Sequence, residues 1–147
     1  MNNQAFKYKF RAYEKETNEV VRVIQIQWDS VDDCINNVVL QNLNSYTIHP
    51  DFPKSDSDDD GIVLMQYTGF EDKNNKEIYE GDIIKYYNNL YQVKWATPGF
   101  CISRIHSNKF ELELIANTEK KPEVIKESLE VVGNIYENPE LLKTMSK

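Results

Sequence analysis

Asp56-x-Asp58-x-Asp60-Gly61 is the stretch whose residue types and spacing come nearest to a known chemistry. A calcium loop needs oxygen ligands at positions 1, 3 and 5, a glycine at 6, an apolar residue at 8 and a bidentate glutamate at 12. Asp56, Asp58, Asp60, Gly61 and Val63 meet the first five demands. Position 12 is Tyr67, which cannot supply a carboxylate. Pro53 and the apolar run Ile62-Val63-Leu64-Met65 stand where flanking helices would be. We therefore read residues 54–61 as a solvated acidic loop between strands, with no metal assigned. His49, His106, Cys34 and Cys101 are a possible zinc set, but zinc ligands come in closely spaced pairs and these do not. The two cysteines form no CxxC pair and lie in apolar stretches. They read as small buried apolar groups in a reducing compartment.

Glu77, Glu80 and Asp82 are close enough in sequence to act as paired carboxylates, which can split their pKa values in a cleft. Glu80-Gly81-Asp82 is equally an ordinary turn, with Asp82 bracing backbone N–H groups as Asx residues do. The turn is the favoured reading. Lys7, Lys9 and Arg11 alternate with Phe6, Tyr8 and Phe10, a pattern that could line up on a nucleic-acid strand. Alternation on a strand puts the aromatic and cationic side chains on opposite faces, so the aromatics are expected in a core. The basic face then reads as a guard on a strand edge. No catalytic residue, cofactor or metal is assigned.

The elements that must position these groups are mostly strands. Phe6 to Tyr13 alternates, with Ala12 on the Phe6 and Phe10 face. Glu16-Thr17-Asn18-Glu19 is a polar turn. Val20 to Trp28 is β-branched and apolar, with Ile24, Ile26 and Trp28 expected on one face. Ser30 to Asn42 could open as a helix at Asp32-Asp33, but Val38-Val39 favours a strand. Tyr46-Thr47-Ile48 is a further short strand. Pro50 and Pro53 end regular structure. After the acidic loop, strands recur at close spacing: Ile62 to Met65, Ile83 to Tyr87, Tyr91 to Trp95, Phe100 to Ile105, Phe110 to Ile115 and Leu129 to Tyr136. Asn88-Asn89 and Thr97-Pro98-Gly99 read as hairpin turns. Tyr91, Val93 and Trp95 are expected inward, and Gly133 marks a bulge. Asn117 to Lys126 is a charged loop. Asn138-Pro139 has the form of an N-cap followed by proline at the first helical position, so a helical turn closes the fold. Many short strands between turn signals predict a mainly β barrel or sandwich.

At 147 residues and 40% hydrophobic composition, the chain fits one domain, with lobes at 1–53 and 62–142 joined by the acidic loop. Net charge is −7, and residues 1–60 hold six Lys and Arg against eleven Asp and Glu. That balance argues against a broad phosphate-binding face. The longest apolar stretches are a few residues, too short to span a membrane. The amino terminus lacks the apolar core of a signal peptide, so a cytoplasmic location is expected.

Leu64-Met-Gln-Tyr-Thr-Gly69, Asp72-Lys-Asn and Lys76-Glu-Ile-Tyr-Glu-Gly-Asp-Ile-Ile-Lys85 form a long run that resembles the YopX family of phage and prophage proteins of Gram-positive bacteria. Tyr8-Lys9-Phe10-Arg11-Ala12-Tyr13 resembles the family's start. Val131-Val132-Gly133-Asn134-Ile135-Tyr136-Glu137-Asn138-Pro139-Glu140-Leu141-Leu142 resembles its end. Two departures stand out: Asn74-Asn75 where the family pattern usually has Asn-Gly, and Phe70 where leucine is more usual. Asn75 can still take the left-handed conformation. The resemblance implies an SH3-like barrel character, here over residues 78–136, and brings no catalytic residues.

The expected function is a non-catalytic interaction module of a phage or prophage, with an unidentified host or phage protein as partner. Its expected contacts are strand edges, tyrosines such as Tyr86 or Tyr87, or the acidic loop. Open strand edges also permit homo-oligomers. The alternative is a nucleic-acid-associated small β-barrel protein. Enzymatic activity is not expected.

Overall fold

The alternating runs build strands in the computed structural model, which describes residues 9–28, 35–47, 61–96, 99–105, 112–114 and 126–143. The strands are β1 (Phe10–Glu14), β2 (Glu19–Trp28), β3 (Ile35–Leu40), β4 (Ser45–Thr47), β5 (Ile62–Glu71), β6 (Glu77–Tyr79), β7 (Asp82–Tyr86), β8 (Asn89–Ala96), β9 (Gly99–Arg104), β10 (Leu112–Leu114) and β11 (Leu129–Asn134). A 3-10 turn at Pro139–Leu142 follows. The chain divides within β5, between Met65 and Gln66, into two compact units.

In the unit Lys9–Met65, antiparallel strands run in the order β4-β3-β2-β1, followed by β5. Its core is Ala12, Val38, Leu40 and Ile62, with Val21, Val23, Ile35, Tyr46 and Leu64 packed around it. The strand reading of residues 30–42 holds for Ile35–Leu40, while Ser30 to Cys34 lie outside the described residues. The expectation that Ile24, Ile26 and Trp28 share one face of β2 is corrected, since Ile26 is half-buried. Val21 and Val23 pack on the core, whereas Ile24 and Trp28 are more than half exposed. The physical reason is a bulge: Val23 pairs with Leu40 but Gln25 with Val39, which leaves Ile24 as the extra residue. At the second register shift, between Gln27 and Trp28, the extra residue lies on β3, where the pairing passes from Asn37 to Ile35.

In the other unit, β5 continues into a hairpin with β6, beside a five-stranded antiparallel sheet of order β10-β9-β8-β7-β11. Ile78, Ile84, Val93, Ile102, Leu129 and Val131 form its core, with Phe70, Tyr86, Tyr91 and Phe100 against it. The protein is mainly β, as its sequence predicts. The SH3-like expectation holds as far as this five-stranded sheet, since the described pairings do not close it into a barrel. Tyr91 and Val93 face the core, but Trp95 does not. It is 56% exposed near the strand end and meets Phe100 edge-on at 4.8 Å between ring centres. The first hairpin turn is also corrected. Tyr86 pairs with Asn89, so Tyr87 and Asn88 form the turn rather than Asn88-Asn89. Residues 97–98 of the second turn lie outside the described residues.

The bulge expected at Gly133 is present. Val131 pairs with Ile84 and Gly133 with Ile83, leaving Val132 extra and exposed. The helical turn after Asn138 is present too, but Asn138 does not cap it with its side chain. Its Oδ1 instead accepts the Asn134 N–H at 3.2 Å, and its Nδ2 donates to Glu140 at 3.4 Å. That arrangement needs a glycine at 133: a Cβ there would lie 2.5 Å from Asn138 Oδ1 and 3.1 Å from Leu141 Cδ1. Gly133→Ala should therefore cost about 1–2 kcal/mol, as overpacking that displaces a hydrogen-bonded carboxamide does. Thermal unfolding of the two proteins measures it.

Candidate functional site

Three buried carboxylates and one tyrosine-bearing turn are the described features with chemical potential. Glu14 ends β1 on the same face as Ala12, and both are fully buried. Its Oε1 accepts the Tyr46 hydroxyl and Asn44 Nδ2, the latter at 2.6 Å. Its Oε2 accepts Thr17 Oγ1 at 2.8 Å and Asn42 Nδ2 at 3.1 Å. The Tyr46 and Asn44 hydrogen bonds hold the Glu14 carboxyl below its usual range, against the opposing effect of burial. Burial, and then the Glu14 carboxylate, push the Tyr46 phenol up to about 12.

Asp72 opens the β5–β6 turn and is fully buried. Its Oδ1 accepts the backbone N–H groups of Asn74 at 2.8 Å and Lys76 at 2.9 Å. Its Oδ2 accepts Val131 N–H on β11 at 2.9 Å. Burial alone would raise this carboxyl, yet three backbone donors outweigh it and the net shift is downward. Asn75 in this turn has φ +62, a left-handed conformation that asparagine tolerates.

The Glu77, Glu80 and Asp82 group resolves into turn bonding. Asp82 is buried and accepts Tyr79 N–H at 2.8 Å. Glu77 accepts the Tyr79 hydroxyl at 2.7 Å, and Glu80 N–H donates to Gln66 C=O at 2.9 Å. Tyr79 in turn packs on Tyr67 at 5.5 Å.

Cys101 is buried on β9 with its thiol toward Lys94 C=O at 3.6 Å, and burial pushes its pKa up despite Lys94. Cys34, His49, His106, Asp56, Asp58, Asp60 and Lys7 lie outside the described residues. Among those described, no three His, Cys, Asp or Glu side chains are grouped to hold a metal. Arg11 sits directly across from Arg22 on β2, on the face opposite Ala12.

Tyr87 is three-quarters exposed with φ +51, a conformation disfavoured for a bulky side chain. Its ring contacts Tyr86 at 4.6 Å, and Tyr86 contacts Tyr91 at 5.9 Å, so an aromatic series runs from the core to the surface. Beside it lies a groove of about 410 Å³ lined by Lys73, Lys85, Tyr87, Asn88, Glu127, Ser128 and Glu130. Lys73 is bonded to Glu130 at 2.6 Å. Two cations and two anions share the groove, so it presents a balanced polar surface to a ligand.

The YopX protein family matches residues 9–143. The chain belongs to the YopX family. The chain is similar in structure to protein EF1440 from Enterococcus faecalis. Its crystal structure aligns over 94% of this chain and 99% of that one, at 24% identity and a TM-score of 0.60, which establishes a shared fold. No curated protein matches the chain. The matched span includes all three buried carboxylates and the Tyr87 turn.

Two of these features escaped sequence reasoning. Glu14 was detectable by parity, because alternation from Phe10 and Ala12 puts it on the buried face. Asp72 was detectable as an Asx residue opening the Asn74-Asn75 turn. Its bond to Val131, 59 residues away, has no local signal.

Proposed function

We propose that this YopX-family chain is a non-catalytic interaction module of a phage or prophage, working in the cytoplasm of a bacterial host. The observation that carries the reading is how polar and aromatic groups are allotted. Glu14 and Asp72 spend their acceptor capacity on donors of the fold's own turns and strands, and Asp82 braces its own turn. Tyr87, Trp95 and Trp28 meanwhile stand more than half exposed. Exposed aromatics on rigid β elements are the side chains that anchor protein interfaces. Among the described residues, no helix is long and apolar enough to cross a membrane.

A second reading, association with nucleic acid, draws on Arg11 facing Arg22 across β1 and β2. The net charge of −7 weighs against it. An affinity pull-down from phage-infected cells, with and without nuclease, separates the two. The expected result is a reproducible protein partner retained after nuclease treatment. Recovery of nucleic acid in its place would overturn the first reading.

A further inference from the structure

The groove beside the Tyr87–Asn88 turn joins a fixed aromatic ring to charges that cancel. Lys73, Lys85, Glu127 and Glu130 bring two charges of each sign. Lys73 and Glu130 are joined to each other at 2.6 Å. Lys85 stands directly across from Glu130 in the β7–β11 register, and it and Glu127 are exposed. Neither Lys85 nor Glu127 is paired among the described residues. The apolar surface at the groove is the Tyr87 ring. Its backbone holds that ring in an uncommon place. Tyr86 pairs with Asn89, so the turn has two residues, and of these Tyr87 alone has positive φ. Glycine is the usual residue at that first place, because it has no Cβ. Here a tyrosine fills it, with its ring against Tyr86 at 4.6 Å, and Tyr86 is itself packed on the core. The ring is thereby a preset platform, with little freedom left to lose on binding.

The ligand class follows from what this combination rejects. A phosphate meets the carboxylates of Glu127 and Glu130, and an organic cation meets Lys73 and Lys85. A wholly apolar body would strip water from four charged groups and return nothing. A saccharide has a face of C–H groups and a rim of hydroxyls, and each hydroxyl both donates and accepts. We propose that the groove binds a neutral saccharide, its C–H face on the Tyr87 ring and its hydroxyls shared among Lys85, Glu127 and Asn88. Lys85 is a donor, Glu127 an acceptor and the Asn88 carboxamide both, so neighbouring hydroxyls find complementary partners. The groove volume of about 410 Å³ is of small-molecule size and holds about one or two sugar rings. This site adds a small ligand to the interaction-module reading and stands whether or not a protein partner is found.

The test is a set of amide NMR titrations of the full chain. The probes are methyl glucoside, methyl galactoside, N-acetylglucosamine and maltose, each taken to about 10 mM. At least one should give saturable shifts centred on residues 85–89 and 126–130. Tyr87→Phe keeps the ring and should bind within about twofold of wild type, whereas Tyr87→Gly should bind at least about tenfold more weakly. Glu127 is exposed and unpaired, so Glu127→Ala probes the site without disturbing the fold, and it should weaken binding severalfold. The saccharide site is overturned if none of the four sugars gives saturable shifts, or if the shifts centre elsewhere. Wild-type binding by both Tyr87→Gly and Glu127→Ala overturns it too. Shifts at the groove with glycine or inorganic phosphate, and with no sugar, would put a charged ligand in its place.

Discussion

Asp72→Ala should destabilise the protein by about 4 kcal/mol, lowering its melting temperature by roughly 12 °C for a chain of this size. The substitution strips the acceptor from three backbone N–H groups, those of Asn74, Lys76 and Val131. Hydrogen bonds to a charged group contribute about 1.5–3 kcal/mol each, and a buried donor left unsatisfied costs a comparable amount. Two of the three donors lie in the turn and can recover water as it loosens, which keeps the total near 4 rather than 8. Asp72→Asn isolates the part played by β11. Its amide oxygen can still serve Asn74 and Lys76, but its NH2 then faces Val131 N–H, donor against donor. The expected loss is about 2 kcal/mol. Urea unfolding of the three proteins gives the ordering; an Asp72→Asn as stable as wild type would show that the Val131 bond contributes nothing.

Glu14→Gln should cost about 2–3 kcal/mol with almost no change in volume, because one carboxylate oxygen becomes a donor among donors. Oε1 now takes the Tyr46 hydroxyl and Asn44 Nδ2, and Oε2 takes Thr17 and Asn42. Whichever side the amide NH2 occupies, two side chains lose their acceptor. Tyr46→Phe removes one of the four bonds and should cost about 1 kcal/mol. The pH dependence follows from the shifts. Glu14 and Asp72 both have carboxyl pKa values depressed in the folded state. Their contribution is present above the unfolded values, about 4, and is lost as pH falls through the lower folded ones. Tyr46 is raised from 10 to about 12, so its contribution is present below pH 10 and lost as pH rises toward 12. Denaturant midpoints measured from pH 2 to 5 should fall in acid for wild type. The slope should be shallower for Glu14→Gln and for Asp72→Asn. An unchanged slope in both variants would assign acid sensitivity to other groups.

The strands were readable because apolar and polar residues alternate over most of the chain, as in Tyr91-Gln92-Val93-Lys94. The misreading of β2 has a plain cause. A period of two carries no information about an inserted residue. Ile24 alternates perfectly with Ile26 and Trp28 in sequence, while the bulge between Val23 and Gln25 takes it out of step with Ile26. Trp95 alternates correctly as well, but the strand runs beyond the part that the core covers. The Tyr87 turn was missed because Asn88 and Asn89 have the better turn chemistry, and pairing of Tyr86 with Asn89 overrides it. The acceptor pattern of Glu14 was out of reach for a different reason. Two of its donors, Asn42 and Asn44, are 28 and 30 residues away and meet it only when β1 and the β3–β4 turn come together.

The stop placed on β11 has a consequence for the state of the protein in bulk. Its outward groups are consumed inside the chain: Leu129 C=O by Lys73 N–H at 3.0 Å, Val131 N–H by Asp72, and Asn134 N–H by Asn138. Among the described residues, β10 ends the other side of that sheet. Strand addition through the β11 side of this sheet is therefore blocked, and units blocked on one side cannot string into a fibre through that sheet. Acid protonates Asp72 and reopens the blocked side. Fibril formation through this sheet should therefore be slow at neutral pH and quicken at low pH before the protein is fully unfolded.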